Sequence, residues 1–116
     1  MTRILVVDDE LDIAEAVRAV LEAEGYQVST AADGRQCLQA LQRERPDLLL
    51  LDVMMPVLDG FGVLEHMQAA RLDVPVVMMS AIRPDGRLAE YRIKAFLKKP
   101  FLLETLLETV DRALAG

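Results

Sequence analysis

Four short stretches of this chain place reactive side chains directly after apolar runs. They are Asp8-Asp9 in "ILVVDDE", Asp52 in "LLLLDVMMP", Ser80 in "PVVMMS" and Lys98-Lys99 in "FLKKPF". A single aspartate after a strand is commonly a turn residue or a helix cap. A set of carboxylates, a hydroxyl and an ammonium brought to one edge is different. Two carboxylates ~4 Å apart repel by about 4 kcal/mol at an effective dielectric near 20. Such a group shares protons or recruits a cation. Hard oxygen donors with open positions suit Mg²⁺, which keeps waters and shares phosphate oxygens.

Positioning these residues together needs a scaffold, and the chain spells one out. Apolar runs of strand length ("RILVV", "YQVST", "LLLLD", "VPVVMMS", "KAFLK") alternate with amphipathic segments. In "LDIAEAVRAVLEAEG" the spacing puts Ile13, Ala16, Val17, Val20 and Leu21 on one helical face, and Gly25 stops the helix. Asp33-Gly34 opens a second helix with Cys37, Leu38 and Leu41 inward. A third runs from Phe61 to about Ala70 with Phe61, Leu64 and Met67 inward, and "FLLETLLETVDRALAG" closes the chain. Such alternation predicts an α/β fold, a doubly wound five-stranded parallel sheet with helices on both faces. The expected strand order is 2-1-3-4-5, whose reversal point lies between strands 1 and 3. Asp8, Asp9 and Asp52 end those two strands.

The segment between Ser80 and the fifth strand, "AIRPDGRLAEYR", is the weak one. Pro84 fits only the first turn of a helix, and Gly86 costs about 1 kcal/mol inside one. The remaining "RLAEYR" predicts a fourth helix that is short or disordered.

Composition narrows the function classes. The 116 residues fit one domain, residues 1–116. The net charge of −6 disfavours direct nucleic-acid contact or an anionic membrane surface and suits a cation or basic partners. Cys37 stands alone, so no intrachain disulfide forms, and it reads as a small core residue. Asp8, Asp9 and Glu10 interrupt the first apolar run, so no leader is expected, and no run is long enough to span a bilayer. A cytoplasmic location is the expectation. His66 has no metal-spaced partner and reads as a surface residue. Met78 and Met79 read as core filler, and Asp59-Gly60 as turn chemistry orienting the loop after Asp52.

In their order and spacing, "ILVVDDE", "DLLLLDVMMPVLDG", "PVVMMSA" and "FLKKPF" resemble the receiver domain of two-component response regulators, of the chemotaxis-receiver-like kind. The resemblance covers the whole chain and implies a flavodoxin-like fold. It implies a phosphorylation-dependent switch rather than a metabolic enzyme, one that catalyses its own phosphorylation and slow dephosphorylation. Asp52 would be the phosphoacceptor. Asp8, Asp9, Asp52 and the backbone carbonyl of Met54 would hold Mg²⁺, Asp8 through water. Ser80 and Lys99 would meet the phosphoryl oxygens. Lys99 precedes Pro100 and is therefore the match rather than Lys98; that peptide bond is cis in the family. Ser80 and Phe96 would be the switch pair. The implied partners are a sensor histidine kinase or phosphotransfer protein upstream and an output domain or target protein downstream, with a homodimer allowed.

The chain departs from the family pattern twice. The stretch between Ser80 and Lys99 is about one helical turn short, with Arg92 and Ile93 where Gly-Ala is usual. Phe96 stands where tyrosine is frequent. The shortened fourth-helix region favours one rival, a non-switching pseudo-receiver, and the intact set of Asp8, Asp9, Asp52, Ser80 and Lys99 counts against it. A haloacid-dehalogenase-type hydrolase would need an aspartate at Met54. A flavodoxin-like electron carrier would need a phosphate loop after strand 1.

Overall fold

The leucine run explains the architecture. Successive strand residues point to opposite faces, so a strand buried on both sides is apolar throughout. In β3 (Leu48–Asp52), Leu48 and Leu50 enter one core and Leu49 and Leu51 the other, all fully buried. The computed structural model describes residues 1–84 and 86–116. The strands are β1 (Arg3–Val7), β2 (Gln27–Ala31), β3, β4 (Val76–Ser80) and β5 (Ala95–Lys98). They form one parallel sheet in the order β2-β1-β3-β4-β5.

Helices α1 (Leu11–Ala23) and α4 (Leu103–Ala115) cover one face. Val17, Leu21, Leu106 and Val110 meet Ile4, Val6, Leu48, Leu50, Val77 and Met79 there. On α1 the buried alanine is Ala14; Ala16, expected inward, faces solvent. The stripe is therefore centred on Ala14, Val17 and Leu21, with Ile13 and Val20 as its half-buried margins.

The other face is covered by α2 (Gly34–Arg43) and α3 (Gly60–Ala69). Cys37, Leu41, Phe61, Leu64 and Met67 pack there on Leu5, Val7, Leu49, Leu51 and Met78. Burial pushes the Cys37 thiol up to about 12, so it is an inert core group. Both helices are capped by aspartates. Asp33 accepts from the Gln36 amide and Asp59 from the Gly62 amide, each at 2.8 Å. Asp59-Gly60 is thus a helix start rather than a free turn. Gly60 also packs against the end of β3: a Cβ there would lie 2.5 Å from the Asp52 carbonyl oxygen.

Between β4 and β5 there is no α-helix among the described residues. A four-residue 3₁₀ turn, Arg87–Glu90 (η1), stands in its place. Gly86 enters it at φ +74°, a left-handed conformation open to glycine. Asp85, from the expected Pro-Asp-Gly turn, lies outside the described residues. The expectation of a short fourth helix is met by this turn. It is held from outside rather than by its own ladder. The Arg87 guanidinium lies 4.0 Å from the Phe61 ring centroid and 3.7 Å from Glu65. The Tyr91 hydroxyl donates to Glu65 at 3.1 Å.

Candidate functional site

Register brings the strand ends level. Val7 pairs with Leu51, so the next residues, Asp8 and Asp52, end adjacent strands. Asp52 pairs with Met79, and Ser80 follows it. Ser80 pairs with Lys98, and the Lys99 amide donates to the Ser80 carbonyl at 2.8 Å. The Lys99–Pro100 bond is cis, as the resemblance implies.

Lys99 is the hub. Its Nζ lies 2.7 Å from Asp8 Oδ2, 3.4 Å from Asp52 Oδ2 and 3.4 Å from Glu10 Oε1. The side chains of Lys99, Asp52 and Asp8 are 9%, 5% and 0% exposed. The other Asp8 oxygen, Oδ1, accepts from the Glu10 amide at 2.9 Å. Lys98 is exposed on the other side of the strand. Ser80 is buried, and its Oγ accepts from the Ile82 amide at 3.2 Å, which leaves the hydroxyl proton free to donate.

Burial is the main reason the Asp52 carboxyl is raised from near 3.8 to about 6. The Asp8 charge, and more weakly that of Asp9, adds to the rise, while Lys99 opposes it. For Lys99, burial works against the ammonium. The hydrogen bond to Asp8 and the charges of Asp52, Asp8 and Glu10 outweigh it, and its pKa is raised. The site therefore holds more negative charge than one lysine balances.

Asp8, Asp9 and Asp52 each offer one carboxylate oxygen within 4.8 Å of the others. Asp9 is exposed while its two companions are buried, so the cluster opens to solvent on one side. An all-oxygen set with an open side fits Mg²⁺ better than the softer metals. Met54 lies in the loop beyond Asp52 and is 61% exposed. Ile82, after Ser80, is 64% exposed. Phe96 is half-buried against the α3-side core, with the Arg83 guanidinium 5.1 Å above its ring.

The sequence reading missed three contacts. Glu10 reaches Lys99, Arg83 sits over Phe96, and Glu65 anchors η1. For Glu10 a signal was available, a third acidic residue directly after Asp8-Asp9. The other two depend on how loop 81–92 lies against α3 and β5, which no local pattern encodes.

A parallel sheet in this order, with acidic strand ends at its reversal point, defines a flavodoxin-like doubly wound fold whose candidate site lies at the switch point. Residues 4–111 match the family model for the response regulator receiver domain, and the chain belongs to that family. It is 40% identical over 115 residues to the transcriptional regulatory protein PrrA of Mycobacterium tuberculosis, covering 97% of this chain and 49% of PrrA. It is 42% identical over 111 residues to the response regulator MprA of Mycobacterium leprae, covering 93% and 49%. The chain thus spans about half the length of these curated relatives. Among solved structures it superposes on the chemotaxis protein CheY4 of Vibrio cholerae with a TM-score of 0.89 and 37% identity, covering 98% of this chain and 99% of that one. The receiver domain of NtrX from Brucella abortus gives 0.85 and 33%, with 97% and 98% covered. No helix among the described residues is long and apolar enough to cross a membrane.

Proposed function

We propose that this receiver domain, residues 1–116, is a phosphorylation-dependent switch that accepts a phosphoryl group on Asp52. The donor would be a sensor histidine kinase, a phosphotransfer protein or a small phosphodonor. The observation that carries this reading is the pairing of a buried, charge-crowded Asp52 with Lys99 at 3.4 Å and the acidic cluster beside it. Phosphoryl transfer to a carboxylate needs in-line placement and neutralised charge more than covalent assistance.

Asp8, Asp9 and Asp52, with the Met54 carbonyl, are the residues that would hold Mg²⁺. The bound cation would offset the charge of the phosphoryl oxygens. Lys99 would leave its contact with Asp8 to meet one phosphoryl oxygen. The Ser80 hydroxyl would donate to another. Drawing Ser80 toward the phosphoryl group would pull on Ile82 and the loop leading to η1, and Phe96 and Arg83 lie in its path. That movement is the proposed change in the partner-facing surface. An output domain or separate target would read it.

The test is intact mass after incubation with acetyl phosphate and Mg²⁺. Wild type should gain one phosphoryl mass, fail to do so in chelator, and fail as Asp52→Asn. The short η1 favours one rival, a non-switching interaction module. An unmodified wild type, with Mg²⁺ binding established, would make that rival the better reading.

A further inference from the structure

Glu10 is an odd residue for its place. It is the N-cap of α1, where serine, threonine, aspartate and asparagine are preferred because their short side chains reach back to the helix amides. Its side chain makes no such bond. Its backbone carbonyl starts the helix, accepting from Ile13 and Ala14 at 3.1 Å. The carboxylate instead turns to Lys99, at 3.4 Å. A longer acid here forgoes a cap and gains a reach across the crevice.

The effect of that reach depends on the three acidic neighbours of Lys99. Its shortest bond is to Asp8, which is also one of the three oxygen donors of the acidic cluster. A divalent cation on Asp8 competes with the ammonium for that carboxylate and repels it. Asp52, the second neighbour, belongs to the same cluster. Glu10 is the one lysine-bound carboxylate outside it. We propose that Glu10 is a positioning residue for Lys99, holding the ammonium over the crevice once a cation occupies Asp8. The proposal rests on the reading of the crevice as a cation and phosphoryl site, and deepens it. Glu10 does not touch the phosphoryl group; it acts through Lys99.

The experiment is a double-mutant cycle read by binding and by spectroscopy. Beryllofluoride binding is titrated at saturating Mg²⁺ for wild type, Glu10→Ala, Glu10→Gln, Lys99→Ala and the Glu10→Ala/Lys99→Ala pair. An ion pair with one exposed partner, here Glu10, supports an effect of about two- to fivefold. Glu10→Ala should weaken binding by that factor. Glu10→Gln, whose amide oxygen still accepts from an ammonium, should recover part of it. With Lys99 already alanine, removing Glu10 should cost nothing. In the Mg²⁺-loaded protein without beryllofluoride, the ¹⁵N-labelled Lys99 ammonium should exchange faster with water in Glu10→Ala than in wild type. The folding risk is small, because the Glu10 side chain is 61% exposed and makes no cap bond. Wild type that binds no beryllofluoride refutes the function reading itself. Wild type that binds it, with Glu10→Ala unchanged or equally impaired in both Lys99 backgrounds, refutes the positioning role alone.

Discussion

Asp52→Asn should stabilise the metal-free protein although it removes the proposed phosphoacceptor. Burial and the Asp8 charge raise the Asp52 carboxyl from near 3.8 to about 6, with the opposing effect of Lys99 already included. Between about pH 4 and pH 6 the folded chain therefore binds more protons than the unfolded one. Stability falls as pH rises through that window, and the full penalty is present above it. Two pKa units correspond to about 2–3 kcal/mol. Urea unfolding in chelator at pH 8 should place the asparagine variant above wild type by roughly that amount, a midpoint shift on the order of 1–2 M. The gap should shrink as pH falls from 6 and close below about pH 4, where Asp52 becomes protonated in both states. Saturating Mg²⁺ should close most of the gap. A cation at a hundred times its dissociation constant stabilises the folded state by about 2.7 kcal/mol, and the variant lacks one of the three clustered carboxylates. An asparagine variant no more stable than wild type at pH 8 in chelator would refute the account of a charge-crowded crevice. A gap that widens toward pH 4 would do the same.

Lys99→Ala should fold, yet lose the phosphorylation-linked change in amide exchange, whereas exposed Lys98→Ala should be nearly silent; equal loss in both would contradict the side assignment at the end of β5. Met54 and Ile82, two residues beyond Asp52 and Ser80, are exposed and apolar and offer no polar group to orient an in-line water, so the phosphorylated form should be long-lived. Asparagine or glutamate at either position should shorten that lifetime in a mass-based decay assay. Gly60→Ala should lower the unfolding free energy by an amount on the order of 1–3 kcal/mol, read as a lower urea midpoint, because its Cβ would press on the Asp52 carbonyl and Val53. Amides of residues 86–92 should exchange fast in the unphosphorylated protein compared with β3, since η1 is four residues held by side chains; protection equal to the core, unchanged by beryllofluoride, would contradict this.

The sheet was legible because its residues obey one rule strongly. Leu48 to Leu51 read as a strand buried on both faces, and once strand order is set, parallel register makes Asp8 and Asp52 neighbours. Helix faces were legible less finely. Ala14 and Ala16 both suit an amphipathic pattern, and which one is buried depends on how α1 is rotated against β1 and β2. Asp59 was legible as turn chemistry but not as a cap, because a cap needs the helix start, and that was placed one residue late. The contacts of Arg83 and Arg87 were out of reach. A guanidinium over a ring is decided by loop path, and long flexible side chains leave no period to read.

The modest size of η1 has a thermodynamic consequence. Among the described residues of its segment, only Leu88, Tyr91 and Ile93 pack partly into the core. If the switch works by shifting this turn, the apolar area gained or lost is on the order of 200 Å², a heat-capacity change of only about 0.1 kcal/mol/K. Global unfolding of a domain this size changes it by roughly fifteen times as much. The enthalpy of switching would then vary little with temperature. Its resting equilibrium would follow a nearly straight van't Hoff line, while the stability of the surrounding fold follows a strongly curved one.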